Sequence, residues 1–188
     1  KGEDLSDMVY QLTGGKQRNR MTGGGANTER ARGKPWSLQA VTTGNTSIIE
    51  KISLYKNGPE AEAQRMVETK AVKLFKEAGT KSITDAHARN AVSIYGHAGT
   101  VYIQYVMSNL EAVKKLRDSV QAKIDEVAGL TAENRFWSAG AANNLTGVLV
   151  AKKIGLVNYD TNKLFKYVIK LLRENAKSVA DMGSSTGD

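Results

Sequence analysis

Three groups of residues have types and spacings that suit work on phosphates. Asn45 closes the run Trp36-Ser-Leu-Gln-Ala-Val-Thr-Thr-Gly-Asn45, whose apolar and β-branched make-up predicts a buried strand ending in a polar turn. An amide at such a strand end can orient an attacking water against a terminal phosphate. An ordinary turn uses Asn after Gly in the same way. Arg65 lies three residues from both Glu62 and Glu68. Its guanidinium could neutralise charge developing on a nucleotide held by a neighbouring subunit, or form a helix-surface ion pair with either glutamate. The third group is a basic, Gly-rich stretch carrying Lys16, Arg18, Arg20, Arg30, Arg32 and Lys34. Lys16, Arg18 and Arg20 alternate, so in an extended ribbon they share a face and can follow a phosphate backbone. A solvated connector would have the same composition.

Other chemistries are excluded by composition. There is no cysteine, which removes disulfides and thiolate catalysis. With only His87 and His97, a structural zinc site is not expected. Neither histidine sits in a triad-like pattern, and both are read as structural or surface residues. Phe136 and Trp137 are read as core anchors, although an exposed Trp could stack a base. The net charge of +8 favours a polyanionic partner, through release of counterions from phosphates. No apolar run reaches the roughly 18 residues that a membrane span needs, so a soluble, intracellular protein with no membrane partner is expected.

The elements that must position these residues follow from periodicity. Leu5, Met8, Val9 and Leu12 have helical spacing, and Gly14-Gly15 follows as a C-cap would. A second helix is predicted from near Ser47 towards Tyr55, stopped by Asn57-Gly58-Pro59. Glu60 to Glu68 can form another, and Met66 to Phe75 fits either a helix or a strand. From Ser82 to Lys177 the pattern is helical with short breaks, which predicts a bundle of four or five antiparallel helices. The residues from Met182 to Asp188 read as a frayed tail or a linker. The chain opens on Lys rather than Met and enters a helical pattern at once, so it is expected to be an excerpt of a longer protein.

Taken in order, Leu5-Ser-Asp-Met-Val-Tyr10, Gly15-Lys-Gln-Arg-Asn-Arg-Met21, Asn27-Thr-Glu-Arg30, Trp36, Thr43-Gly-Asn45, Pro59-Glu60 and Arg65 resemble the ATPase part of phage primase-helicases of the DUF927-like superfamily. Tyr95-Gly-His-Ala-Gly99, Glu133-Asn-Arg-Phe-Trp137 and Lys153-Ile-Gly-Leu156 are similar to the helical lid of that group. The resemblance implies a predominantly helical chain: residues 1–81 an α/β fragment of a P-loop ATPase core, with the basic loop and the sensor strand, and residues 82–188 an all-α lid bundle with its tail. It also implies that the phosphate-binding loop and an Asp-Glu pair lie upstream. No GxxxxGK motif followed by Ser or Thr occurs here, and Gly14-Gly-Lys16 follows a helix instead of opening one. The parent protein would use ATP and Mg2+, whereas this fragment alone would bind neither. Expected partners are single-stranded DNA, the rest of the same ATPase and further copies in an oligomer, in the cytoplasm of an infected host. Asn45 would position water, Arg65 would act in trans, and the six basic residues would contact DNA. The alternative is a non-enzymatic nucleic-acid-binding or assembly module.

Overall fold

The computed structural model describes residues 2–16, 34–37, 39–70 and 80–184, with the side chains of residues 2–4, 80–81 and 182–184 left aside. The described residues are predominantly helical: α1 (Gly2–Gly14), α2 (Ile48–Ser53), α3 (Glu60–Ala63), α4 (Thr80–Ser93), α5 (His97–Ser108), α6 (Leu110–Ala128), α7 (Arg135–Lys153) and α8 (Thr161–Ser184). One 3-10 turn at Ala132–Asn134 leads into α7. Backbone proximity groups the residues into two compact units that are discontinuous in sequence. The first comprises Lys1–Glu68, Thr131–Gly140 and Leu172–Asp188; the second comprises Thr69–Leu130 and Ala141–Leu171.

In the first unit α1 packs on α2 and α3. Its buried apolar side chains are Val9, Ile49, Ile52, Ala63, Trp137 and Leu172. Gly15 ends α1 at φ 63°, and a Cβ there would lie 2.7 Å from the Trp36 carbonyl oxygen. Only glycine tolerates both that backbone conformation and that approach. Trp36 donates its backbone N–H to Gly15 O at 2.9 Å and its indole Nε1–H to Leu12 O at 3.1 Å. One residue thus satisfies a helix-end carbonyl and ties residues 15 and 36 together.

The helix expected near Ser47 is present, and the Ser47 hydroxyl caps it by accepting the Glu50 N–H at 3.0 Å. Glu68 completes the cap from a distance. Its carboxylate accepts from Ser47 Oγ at 2.5 Å, Ile48 N at 2.7 Å and Ile49 N at 3.3 Å. A negative charge at a helix N-terminus also meets the positive end of the helix dipole. Asn175, in the part of α8 that belongs to this unit, brackets the Glu68 backbone, accepting from its N–H and donating to its carbonyl, both at 3.4 Å.

In the second unit α5 packs on α6, and Ile124, Ala142, Leu145, Val150 and Ile169 are buried. Gly155, at φ 76°, closes α7 while Leu156 N–H reaches back to Ala151 O at 2.9 Å. Asp160 then opens α8 by accepting from the N–H groups of Asn162 and Lys163 at 3.1 and 3.0 Å. The long helical stretch read from Ser82 onwards is therefore present as α4 to α8, five α-helices among the described residues.

The α/β expectation for residues 1–81 is not supported. Among the described residues there is no strand. Residues 36–37 and 39–43, predicted as a buried strand, have no regular structure and are largely exposed, Val41 to 88%. A lone strand leaves its ladder hydrogen bonds unmade, and no neighbour supplies them among these residues. The helix expected over residues 60–68 stops after Ala63, and residues 66–70 have no regular structure. The remainder of the Met66 to Phe75 segment, from residue 71 on, lies outside the described residues.

Replacing Glu68 by Ala removes three bonds from the start of α2, and should lower stability by about 1–3 kcal/mol. Glu111→Ala, which breaks only the exposed pair with Lys114, should cost less than about 1 kcal/mol. Urea denaturation midpoints compare the two directly; equal shifts would show that the Glu68 clamp carries no special weight.

Candidate functional site

The first unit brings ionisable side chains together around Glu62. That carboxylate is 0% exposed, and ionising it there is costly unless donors surround it. Ser6 of α1 donates to Glu62 Oε1, and Lys56, just beyond α2, donates to the same oxygen at 2.5 Å. Oε2 is buried without a hydrogen-bond partner among the described residues. Burial alone would push the carboxyl up. The bonds from Lys56 and Ser6, a backbone N–H and the Lys56 charge together outweigh it and leave the acid below its ordinary value. The same bond raises the Lys56 ammonium above its own ordinary value, against a smaller opposing effect of desolvation.

Arg65 stands beside this pair and is ion-paired with neither Glu62 nor Glu68, since those carboxylates serve Lys56 and the start of α2. Its Nη1 donates to Ala61 O at 2.8 Å. The guanidinium carbon lies 4.5 Å from the centroid of the Tyr10 ring and 5.2 Å from that of Phe136. Arg135 lies over Phe136 at 4.9 Å, and Lys56 Nζ is 5.7 Å from Tyr10. The result is a row of cations and rings, Lys56, Tyr10, Arg65, Phe136 and Arg135, built from α1, α7 and the residues flanking α2 and α3. Beneath it Trp137, 2% exposed, donates its indole N–H to Ala63 O at 3.1 Å. Trp137 is the core anchor expected of it. Phe136 instead is half-buried and has guanidinium groups as neighbours.

The other residues singled out in the sequence lie apart from this row. Asn45 is exposed in the bend that precedes the Ser47 cap, and among the described residues no hydrogen bond or ring contact joins it to Arg65. Lys16 and Lys34 are exposed, each within two residues of the Gly15–Trp36 tie. Arg18, Arg20, Arg30 and Arg32 lie outside the described residues. His87 and His97 are exposed, as surface histidines would be. The row itself was not legible in the sequence: Tyr10, Arg65 and Phe136 are far apart along the chain, and periodicity is blind to such meetings. The adjacency of Arg135 and Phe136 was its one local trace.

The pair at the centre of the site makes stability depend on pH in a stated direction. Glu62 is depressed, so its contribution is complete above the ordinary value of 4.5 and is lost as pH falls through the lower value it has in the fold. Lys56 is raised, so its contribution is present below 10.5 and is lost only at still higher pH. Lys56→Met strands a buried carboxylate and should cost about 1–3 kcal/mol at neutral pH. The gap from the unsubstituted chain should narrow as acid protonates Glu62. Urea titrations at several pH values test this, and a gap independent of pH would separate Lys56 from the Glu62 charge. Comparison of the chain with protein-family models, with curated proteins and with solved structures found no match.

Proposed function

We propose that the chain is the nucleic-acid-facing part of an ATP-dependent phage replicative helicase or primase-helicase. It would act on single-stranded DNA in the cytoplasm of the infected host, within an oligomer, together with the remainder of the ATPase. The observation that carries this reading is the stretch between Trp36 and Ser47. It is fixed at one end by the hydrogen bonds of Trp36 to α1 and at the other by the Glu68 clamp on α2. Between them lies a sequence patterned for burial, yet Val41 is 88% exposed and Asn45 is bare. A segment of that composition, held at both ends and exposed over residues 39–46, with the Gln39 side chain near Gly140, has the properties of a strand that other strands complete. The resemblance assigns those strands, with the loop that grips ATP and Mg2+, to the remainder of the ATPase.

In this reading Asn45 orients the attacking water once the sheet is assembled. Arg65 serves a neighbouring subunit's nucleotide, which requires its guanidinium to leave Tyr10 and Phe136. The basic loop follows DNA phosphates, and its base is the Gly15–Trp36 tie, beside which Lys16 and Lys34 stand exposed. A second reading, a non-enzymatic nucleic-acid-binding or assembly module, is favoured by the lack of any strand among the described residues. Turnover separates the two.

The isolated chain should bind single-stranded DNA of unrelated sequences with similar affinity and show no magnesium-dependent ATP turnover, because phosphate contacts carry no base information and the nucleotide cradle is elsewhere. Replacing Lys16, Arg18 and Arg20 together by Ala should weaken binding and reduce the slope of log affinity against log salt by up to about three phosphates' worth. Fluorescence anisotropy across a salt series measures both quantities, and an unchanged slope would move DNA binding off the loop. In the complete ATPase, Asn45→Ala and Arg65→Ala should each lower turnover about a hundredfold while nucleotide affinity holds. Full activity in both would leave the second reading.

A further inference from the structure

The row of cations and rings in the first unit has a property that neither the basic loop nor the ATPase roles use. A guanidinium stacked on an aromatic ring engages its face, while its N–H donors point outward in the plane. Arg65 spends one donor on Ala61 O. Among the described residues Arg135 has only the contact with Phe136, and its side chain is exposed. Of the carboxylates near Lys56 among the described residues, Glu62 is buried and already taken by Lys56 and Ser6, and Glu60 acts on Lys56 as well. Neither Arg65 nor Arg135 has an ion pair among the described residues, so two guanidinium charges stand without a carboxylate, and Arg65 is already held by Ala61 O and the Tyr10 ring. Binding an anion there forfeits little further side-chain entropy.

We infer that the row formed by Lys56, Tyr10, Arg65, Phe136 and Arg135 is a second binding site for single-stranded nucleic acid, in which guanidinium edges hold phosphates and the exposed Arg135 plane stacks a base. The chemistry singles out this ligand. Planar, bidentate donors match phosphate oxygens, and guanidinium planes and aromatic rings are what unpaired bases stack on. Duplex DNA presents phosphates but no free base faces, so the row should prefer single strands. Tyr10, at the margin of exposure, lies at the other end of the row beside Lys56. The inference rests on the nucleic-acid half of the reading above.

The test uses the full chain with a fluorescein-labelled oligothymidylate of about 20 nucleotides, longer than one compact site requires, and an abasic backbone of equal length. Arg135→Ala should weaken oligothymidylate binding about tenfold and reduce the salt slope by about one. Phe136→Leu, which keeps apolar bulk but loses the ring, should narrow the preference for oligothymidylate over the abasic backbone. Circular dichroism checks that helix content is retained, and because the Arg135 side chain is exposed its variant should fold. If both variants bind as the unsubstituted chain does while the Lys16, Arg18, Arg20 triple variant loses affinity, the row is structural only and the loop assignment stands. If Arg135→Ala loses affinity and slope while the triple variant does not, the row is the site and the loop assignment falls. No binding by the unsubstituted chain overturns both.

Discussion

A carboxylate with no exposed surface is the constraint around which the first unit is arranged. Ser6 and Lys56, which come from different elements, converge on one oxygen of Glu62 and help to hold its carboxyl below the ordinary value against burial. Its location at the third residue of a four-residue helix matters. So short a helix has almost no stability of its own, and what holds it is tertiary contact: Lys56 and Ser6 at Glu62, and the Trp137 indole on the Ala63 carbonyl. Arg65 follows directly after that turn, so the geometry of the cation row depends on the position of Glu62. Among the described residues the unit buries Val9, Ile49, Ile52, Ala63, Trp137 and Leu172, and polar and cation–ring contacts add to that core.

Where local chemistry decides the outcome, the sequence was a sound guide. The Leu5, Met8, Val9 and Leu12 spacing with Gly14-Gly15 behind it is α1, and the helix expected from near Ser47 is α2. Each depends on residues within a turn or two of one another. The failures are of a different kind. Strand formation at residues 36–43 depends on partners elsewhere in space, and β-propensity reports only fitness for a covered, pleated surface. Arg65 was weighed against glutamates three residues away, as helical spacing suggests, but the helix ends at Ala63 and the guanidinium turns to Tyr10 and Phe136. Glu68 left the same contest for a distant one, capping a helix some twenty residues earlier in the chain.

These long-range choices divide the first unit into held and bare parts. The held parts are the turn carrying Glu62, the start of α2 and the end of α1, each fixed by at least one side chain from another segment. The bare parts are residues 39–46 and the lysines beside the Gly15–Trp36 tie. Asn45 belongs to the second class, although its neighbour two residues on is fixed by the Glu68 carboxylate. A polar side chain displayed on a short stretch with a fixed base has limited freedom to wander, and that is what a residue meant to meet a partner requires.

Arg65 is the point at which the two proposed activities compete. Held near the Tyr10 and Phe136 rings, it belongs to a row of charge whose edges suit phosphate; released, it could reach a nucleotide on another subunit. Both cannot occur in the same molecule at the same moment. A ligand that binds the stacked row stabilises the stacked state, and by linkage it withdraws Arg65 from any neighbour by the same factor. Nucleic acid on the row would then restrain hydrolysis next door, whereas DNA held only by the basic loop would leave Arg65 free to move. The sign of the effect of DNA on turnover, activating or restraining, therefore depends on which of the two basic surfaces is occupied, and the two surfaces share no residue.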